Sequence, residues 1–198
     1  GQASLEKVLG DRSLAAVTCP IGTSGFHIFL SHTWAQGQSD MRVVKQRLVE
    51  LMPDVRVFLD VDDLDDMRKL EEYVERSQSI LFFPSKGYFH SGACKTEITA
   101  ALAAEKPLLL VHDPVRGGAP LDVLQEDCKE EWRSPIFDRG RPIITWLRVA
   151  DYQVISLKQI VAQLLHASPR YHSAANPPRI YMPGEVSRKR MQLRKDVV

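Results

Sequence analysis

Ser79-Ile80-Leu81-Phe82-Phe83-Pro84 runs into Ser85-Lys86-Gly87-Tyr88, and then into Ser91-Gly92-Ala93-Cys94-Lys95-Thr96-Glu97-Ile98. The first run is short, apolar and closed by proline, the pattern of a buried strand. The glycine-containing stretch after it reads as a turn. From Gly92 to Glu105 the chain is rich in alanine, and Cys94, Ile98, Ala101 and Leu102 form an apolar stripe at helical spacing. Strand, turn and amphipathic helix in that order make one unit of a wound α/β fold.

The same unit repeats on both sides. Toward the amino terminus, Phe26-His27-Ile28-Phe29-Leu30 predicts a strand. Met41, Val44, Leu48 and Leu51 then predict a helix ended by Pro53. Val55-Arg56-Val57-Phe58-Leu59 predicts a second strand, followed by the acidic loop Asp60-Val61-Asp62-Asp63-Leu64-Asp65-Asp66 and a helix through Leu70 and Val74. Toward the carboxyl terminus, Leu108-Leu109-Leu110-Val111 and Ile143-Ile144-Thr145-Trp146-Leu147 predict strands four and five, and Leu157, Ile160, Val161, Leu164 and Leu165 a closing helix. Asp113 to Arg141, with Gly117-Gly118 and three prolines, predicts mostly loop with one helical turn. The expectation is an α/β fold with a five-stranded parallel sheet covered on both faces. Residues 1–23 read as a lead-in with one short helix (Leu5, Val8, Leu9), 24–167 as the domain, and 168–198 as a basic tail containing prolines.

Composition narrows the function classes. With 198 residues, 44% hydrophobic and 26% charged, the chain is neither fibrous nor wholly disordered. Its apolar runs fall far short of the ~20 residues that span a bilayer, and no basic-then-apolar leader opens it, so no membrane association is expected. Cys19, Cys94 and Cys128 lie far apart without C-x-x-C spacing, which predicts reduced thiols, a cytoplasmic setting and no metal site. The formal charge of +1 hides a segregation: residues 168–198 carry a net +5, while Asp60 to Arg76 holds eight acids against three bases. Five basic residues in eight over 188–195 raise nucleic-acid binding as a third candidate, but such runs are more often solvated tails, so nucleic acid is not the expected partner.

Ligands of open parallel sheets bind outside the carboxyl ends of the strands. That rule selects Ser31-His32-Thr33-Trp34, the loop from Asp60, and Ser85 through Glu97. No G-x-G-x-x-G, phosphate-binding loop or nucleophile elbow is present. A phospho-acceptor at Asp60 would need carboxylates after the first strand to hold Mg²⁺, where Ser31-His32 stand instead. Glu97 lies about 60° from Cys94 and about 40° from Ala101 on the helical wheel, so it flanks the buried stripe near the ligand edge. A boundary ion pair with Lys95 is the alternative reading.

Phe26-x-Ile28-Phe29-Leu30-Ser31, then Val57-Phe58-Leu59-Asp60 with Asp63-Leu64, then Ser85-x-Gly87-Tyr88-Phe89-x-Ser91-x-x-Cys94-x-x-Glu97-Ile98 together resemble a TIR domain (Toll/interleukin-1 receptor type) over about residues 24–167. The resemblance implies a flavodoxin-like three-layer fold and homotypic association with other TIR domains through the loop Asp60 to Arg68. Enzymatic members cleave NAD⁺ at the nicotinamide–ribose bond, often with a site completed between protomers. Their catalytic glutamate stands at the S-x-x-C-x-x-E position, here Glu97; members that act only as adaptors often lack it. NAD⁺ is then a substrate, and no resident cofactor or metal is implied.

The chemistry suits one acid. Nicotinamide leaves as a neutral molecule and needs no proton, while the ribose develops oxocarbenium character that a carboxylate can offset. Ser31 and His32 are candidates for hydrogen bonds to ribose or phosphate, and Trp34 and Tyr88 for stacking on a base. Asp60, Leu64, Ser85 and Cys94 complete the candidate substrate-binding set at the same strand ends. Trp34 packed on the first helix is its bland alternative, and a TIR interaction module without catalysis is the alternative for the whole chain.

Overall fold

In the computed structural model, residues 25–52, 54–60, 69–115, 118–138 and 140–168 are described. The lead-in, the loop stretch 61–68 with Leu64, and the basic tail from 169 lie outside them. The sheet contains β1 (Phe26–His32), β2 (Val57–Phe58), β3 (Ser77–Phe83), β4 (Leu108–His112) and β5 (Ile144–Thr145), in the order β2-β1-β3-β4-β5. All four pairings are parallel. This is the doubly wound order in which the chain reverses direction across the sheet between β1 and β3, and it opens a ligand crevice at their carboxyl ends.

The strands alternate, and the two helical layers follow from that alternation. Ile28 and Leu30 face α1 (Trp34–Leu51) and α6 (Ala150–Ala167), packing with Met41, Val44, Leu48, Leu157, Ile160 and Val161. Phe29, Ile80 and Phe82 face the other way, onto α2 (Leu70–Glu75) and α3 (Gly92–Ala103), with Val74, Cys94, Ile98 and Ala101. The next residues of β1 continue the pattern, so Ser31 turns toward α3 and His32 toward α1. Gly37 lets α1 come down on this edge: a Cβ there would sit 3.0 Å from His32 Cβ and 3.1 Å from a Phe83 ring carbon.

Two expectations need correction. The edge strands β2 and β5 are only two residues each, because each pairs on one side alone and little of its predicted length meets a partner. The stretch 113–141 is not mostly loop. It holds α4 (Leu121–Asp127), α5 (Glu130–Arg133) and a π-helical turn (Ser134–Asp138). Leu124, Cys128, Trp132 and Ile136 recur every four residues and are all buried against the α3 layer. That burial outweighs the local prolines, of which Pro135 sits at the start of the widened turn.

Candidate functional site

The site grows from the first turns of α3. Ser91 has extended backbone and caps the helix, its Oγ accepting the Cys94 N–H at 3.4 Å. Cys94, on the inward face, donates its thiol to the His32 carbonyl at 3.4 Å and so docks α3 on the end of β1. Glu97, three residues further, lies on the same face and meets the next inward group of the sheet edge, Ser31. The spacing S-x-x-C-x-x-E is therefore a cap, a dock and a carboxylate, one helical turn apart.

Ser31 Oγ donates to Glu97 Oε2 and is bonded to the Tyr88 hydroxyl at 2.5 Å. All three residues are buried, Glu97 to 1% exposure. Burial pushes the Glu97 carboxyl up to about 8; the Ser31 hydrogen bond pulls it down and the nearby Asp60 charge adds to the rise. The same burial, reinforced by Glu97, raises Cys94 to about 12, so that thiol is inert. Among the described residues no cation pairs with Glu97, and the alternative of a surface ion pair with Lys95 is not what the structure shows.

A second group flanks the first across the strand end. Asp60, just past β2, accepts the Trp34 indole N–H and lies 3.8 Å from His32 Nδ1. Burial lowers the His32 pKa although Asp60 and the Leu30 carbonyl raise it, so the ring is neutral at neutral pH. Trp34 is the first residue of α1 and is 56% exposed: it is tethered at its nitrogen with ring surface left to solvent. Thr33, selected with its strand end but given no role from sequence, shares a 2.7 Å hydrogen bond with Ser85 and ties the ends of β1 and β3.

The structure thus brings Ser31, Tyr88, Cys94 and Glu97 together, with Asp60, His32 and Trp34 beside them; Leu64 lies outside the described residues. Ser31, His32, Ser85, Tyr88 and Cys94 are all buried, because α1 and α3 close over the edge. Tyr88 in particular packs edge-on against Phe89 at 5.2 Å and offers no face for stacking in this conformation. A cleft of about 970 Å³ opens at the opposite, amino-terminal edge, near Lys106, Leu108, Trp132 and Arg141, and has no part in this constellation.

Sequence reasoning missed a third cluster on the same edge. Arg148, after β5, donates from Nε to Asp113 at 2.7 Å and from Nη2 to Asp40 at 3.0 Å, while Trp146 Nε1 donates to Asp40 at 2.9 Å. Asp113 directly follows β4, so the strand-end rule applied to strands four and five would have found it. Among the described residues no group of His, Cys, Asp and Glu is arranged to hold a metal ion, and no helix is long and apolar enough to cross a membrane.

A protein-family model described as TIR domain matches residues 28–127, from β1 through α4. A comparison with curated proteins finds no match.

Proposed function

The chain belongs to the TIR domain family, and on that premise we propose that it is an NAD⁺ glycohydrolase with Glu97 as its catalytic carboxylate. The observation that carries this reading is a fully buried carboxyl at the ligand edge of the sheet, held by a hydroxyl and, among the described residues, uncompensated by a cation. Such a group is costly to ionise in the empty protein, and a cationic substrate relieves that cost. NAD⁺ carries its positive charge on the pyridinium ring, beside the ribose carbon that reacts.

The C1′–N bond breaks with its electron pair going to the ring nitrogen, and nicotinamide leaves neutral. Positive charge moves to the ribose, where ionised Glu97 offsets it and can accept a hydrogen bond from a ribose hydroxyl. Water then adds at C1′ and releases a proton, giving ADP-ribose; attack by a ring nitrogen of the adenine instead gives a cyclic product. Trp34, tethered by Asp60, supplies a stacking surface. Because Glu97 is sealed in the single chain, substrate entry requires its cover to move. Activation by self-association through the loop Asp60 to Arg68 accords with this, since Asp60 joins that loop to Trp34.

The test is nicotinamide release from NAD⁺ by concentrated full chain. Release that rises per protomer with protein concentration and is lost in Glu97→Ala is expected. No release, or equal release from Glu97→Ala, overturns the reading. The same burial favours a second reading, a non-catalytic TIR interaction module in signalling, in which Glu97 is a structural acid held by Ser31. Only the enzyme predicts that Glu97→Gln stops turnover while association persists.

A further inference from the structure

Ser31 stands where a serine contacting substrate was expected, but its hydroxyl is already committed. It is 0% exposed and touches both the Tyr88 hydroxyl and Glu97 Oε2. A serine hydroxyl has one proton to give. If that proton goes to Glu97, the short contact with Tyr88 is satisfied only by Tyr88 donating to Ser31. With Glu97 ionised, as the reaction requires, the order Tyr88 to Ser31 to Glu97 is therefore set by valence, and no donor remains on Ser31 for a ribose or a phosphate. No hydrogen bond from a described residue reaches the other carboxyl oxygen, Oε1.

We propose that Ser31 is a positioning residue for Glu97 and not a substrate ligand: backed by Tyr88, it ties down Oε2 and leaves Oε1 to meet the ribose. This deepens the glycohydrolase reading and rests on it for the ribose contact. The alternation of β1 is what aims Ser31 at α3, and the inward face of α3 is what aims Glu97 back. The ionisable groups around the carboxyl are Asp60 beyond β2, Cys94 on its own helix and Tyr88 on the turn between β3 and α3, with Cys128 of the α4–α5 link behind Tyr88. Burial, Cys94 and Glu97 hold the Tyr88 hydroxyl protonated, as the relay requires. Of all these groups, Ser31 alone lowers the Glu97 pKa.

The experiment uses the full chain and two readouts. In Ser31→Ala, loss of the donor moves the acid limb of the kcat/KM profile for NAD⁺ to higher pH and lowers kcat by ~10-fold, with KM within ~2-fold of wild type. Ser31→Thr keeps a hydroxyl and restores both. Tyr88→Phe shifts the profile the same way by less. In parallel, the ¹³C carboxyl resonance of Glu97, assigned by its loss in Glu97→Gln, is titrated without substrate and shows the same upward move in Ser31→Ala and the same rescue in Ser31→Thr. A raised KM with an unmoved pH profile makes Ser31 a substrate contact and overturns the proposal, as does a carboxyl titration that ignores both Ser31→Ala and Tyr88→Phe. Absence of nicotinamide release from wild type defeats the glycohydrolase reading instead, and the carboxyl titration then still decides whether the relay exists.

Discussion

Two of the clusters in which the carboxyl edge of the sheet buries acids treat them in opposite ways. Around Arg148, Asp40 and Asp113 are almost fully buried, and one guanidinium with the Trp146 indole satisfies both. That arrangement ties β4, β5 and α1 together and gives each carboxylate a cationic partner within the fold, with one negative charge in excess. Around Glu97, on the α3 side, the carboxyl is equally buried, yet among the described residues its partner is a hydroxyl and the charge that acts on it is another acid, Asp60. Where the fold needs a strut it supplies the counter-charge from within. Where it withholds the counter-charge, the cost is borne by the empty protein and can be relieved by a cation arriving from outside.

Removing the cation from the compensated cluster should give the largest effect. Arg148→Met takes the guanidinium away from two buried carboxyls and should cost about 3–5 kcal/mol of stability, measured as a lowered urea midpoint. A loss below about 1 kcal/mol would mean that the cluster is as solvent-screened as an ordinary surface pair. The opposite outcome is expected at Glu97. Glu97→Gln should reduce nicotinamide release by ~100-fold or more while making the fold more stable, because the neutral amide needs no counter-charge. An equal loss of stability at both sites would erase the contrast between them.

The sign of the pH dependence sharpens this further. The folded Glu97 carboxyl titrates near 8, above its ordinary 4.5. The folded state therefore binds the proton more tightly, and the associated stability is present below about pH 4.5 and lost as pH rises through about 8. At about 1.4 kcal/mol per unit of displacement, the melting-temperature gap between Glu97→Gln and wild type should be small at pH 4.5, widen up to about pH 8 and then level off. For catalysis the ionised form is needed, so kcat/KM for NAD⁺ should rise across the same upper limb. A gap that is constant from pH 5 to 9 would place the carboxyl in an ordinary solvated environment.

Much of this was legible in the sequence, and the exceptions have physical causes. β1, β3, β4 and the apolar faces of α1, α3 and α6 write themselves as runs and stripes, because each is buried on the side that the pattern marks. The four-residue recurrence Leu124, Cys128, Trp132, Ile136 was equally visible, but glycine and proline punctuation around it read more loudly than the stripe. Glu97 was located by its position on the helical wheel and by the order of the motifs around it. What no spacing shows is commitment: Ser31 and Tyr88 sit where ligands bind, yet their hydroxyls are consumed within the fold. The pairing of Arg148 with Asp40 spans 108 positions, and nothing local announces it.

The smallest expected effect belongs to the residue on the β2 side of the Glu97 site. Trp34 is exposed on its ring and held at its nitrogen by Asp60, so it contributes surface for a planar base without carrying charge. Base–aromatic stacking is worth about 1–3 kcal/mol. At the lower end of that range, about 1–2 kcal/mol, Trp34→Ala should raise KM for NAD⁺ by ~5- to 30-fold with kcat little changed. Trp34→Phe keeps a ring but loses the tether, and should fall between Ala and wild type. The other two tryptophans, Trp132 and Trp146, are buried, so NAD⁺ added to the non-turning Glu97→Gln variant should quench mainly the Trp34 emission. Quenching that survives Trp34→Phe, or a fall in kcat without a change in KM, would remove Trp34 from the substrate surface and leave its tether to Asp60 as a purely structural link between α1 and the end of β2.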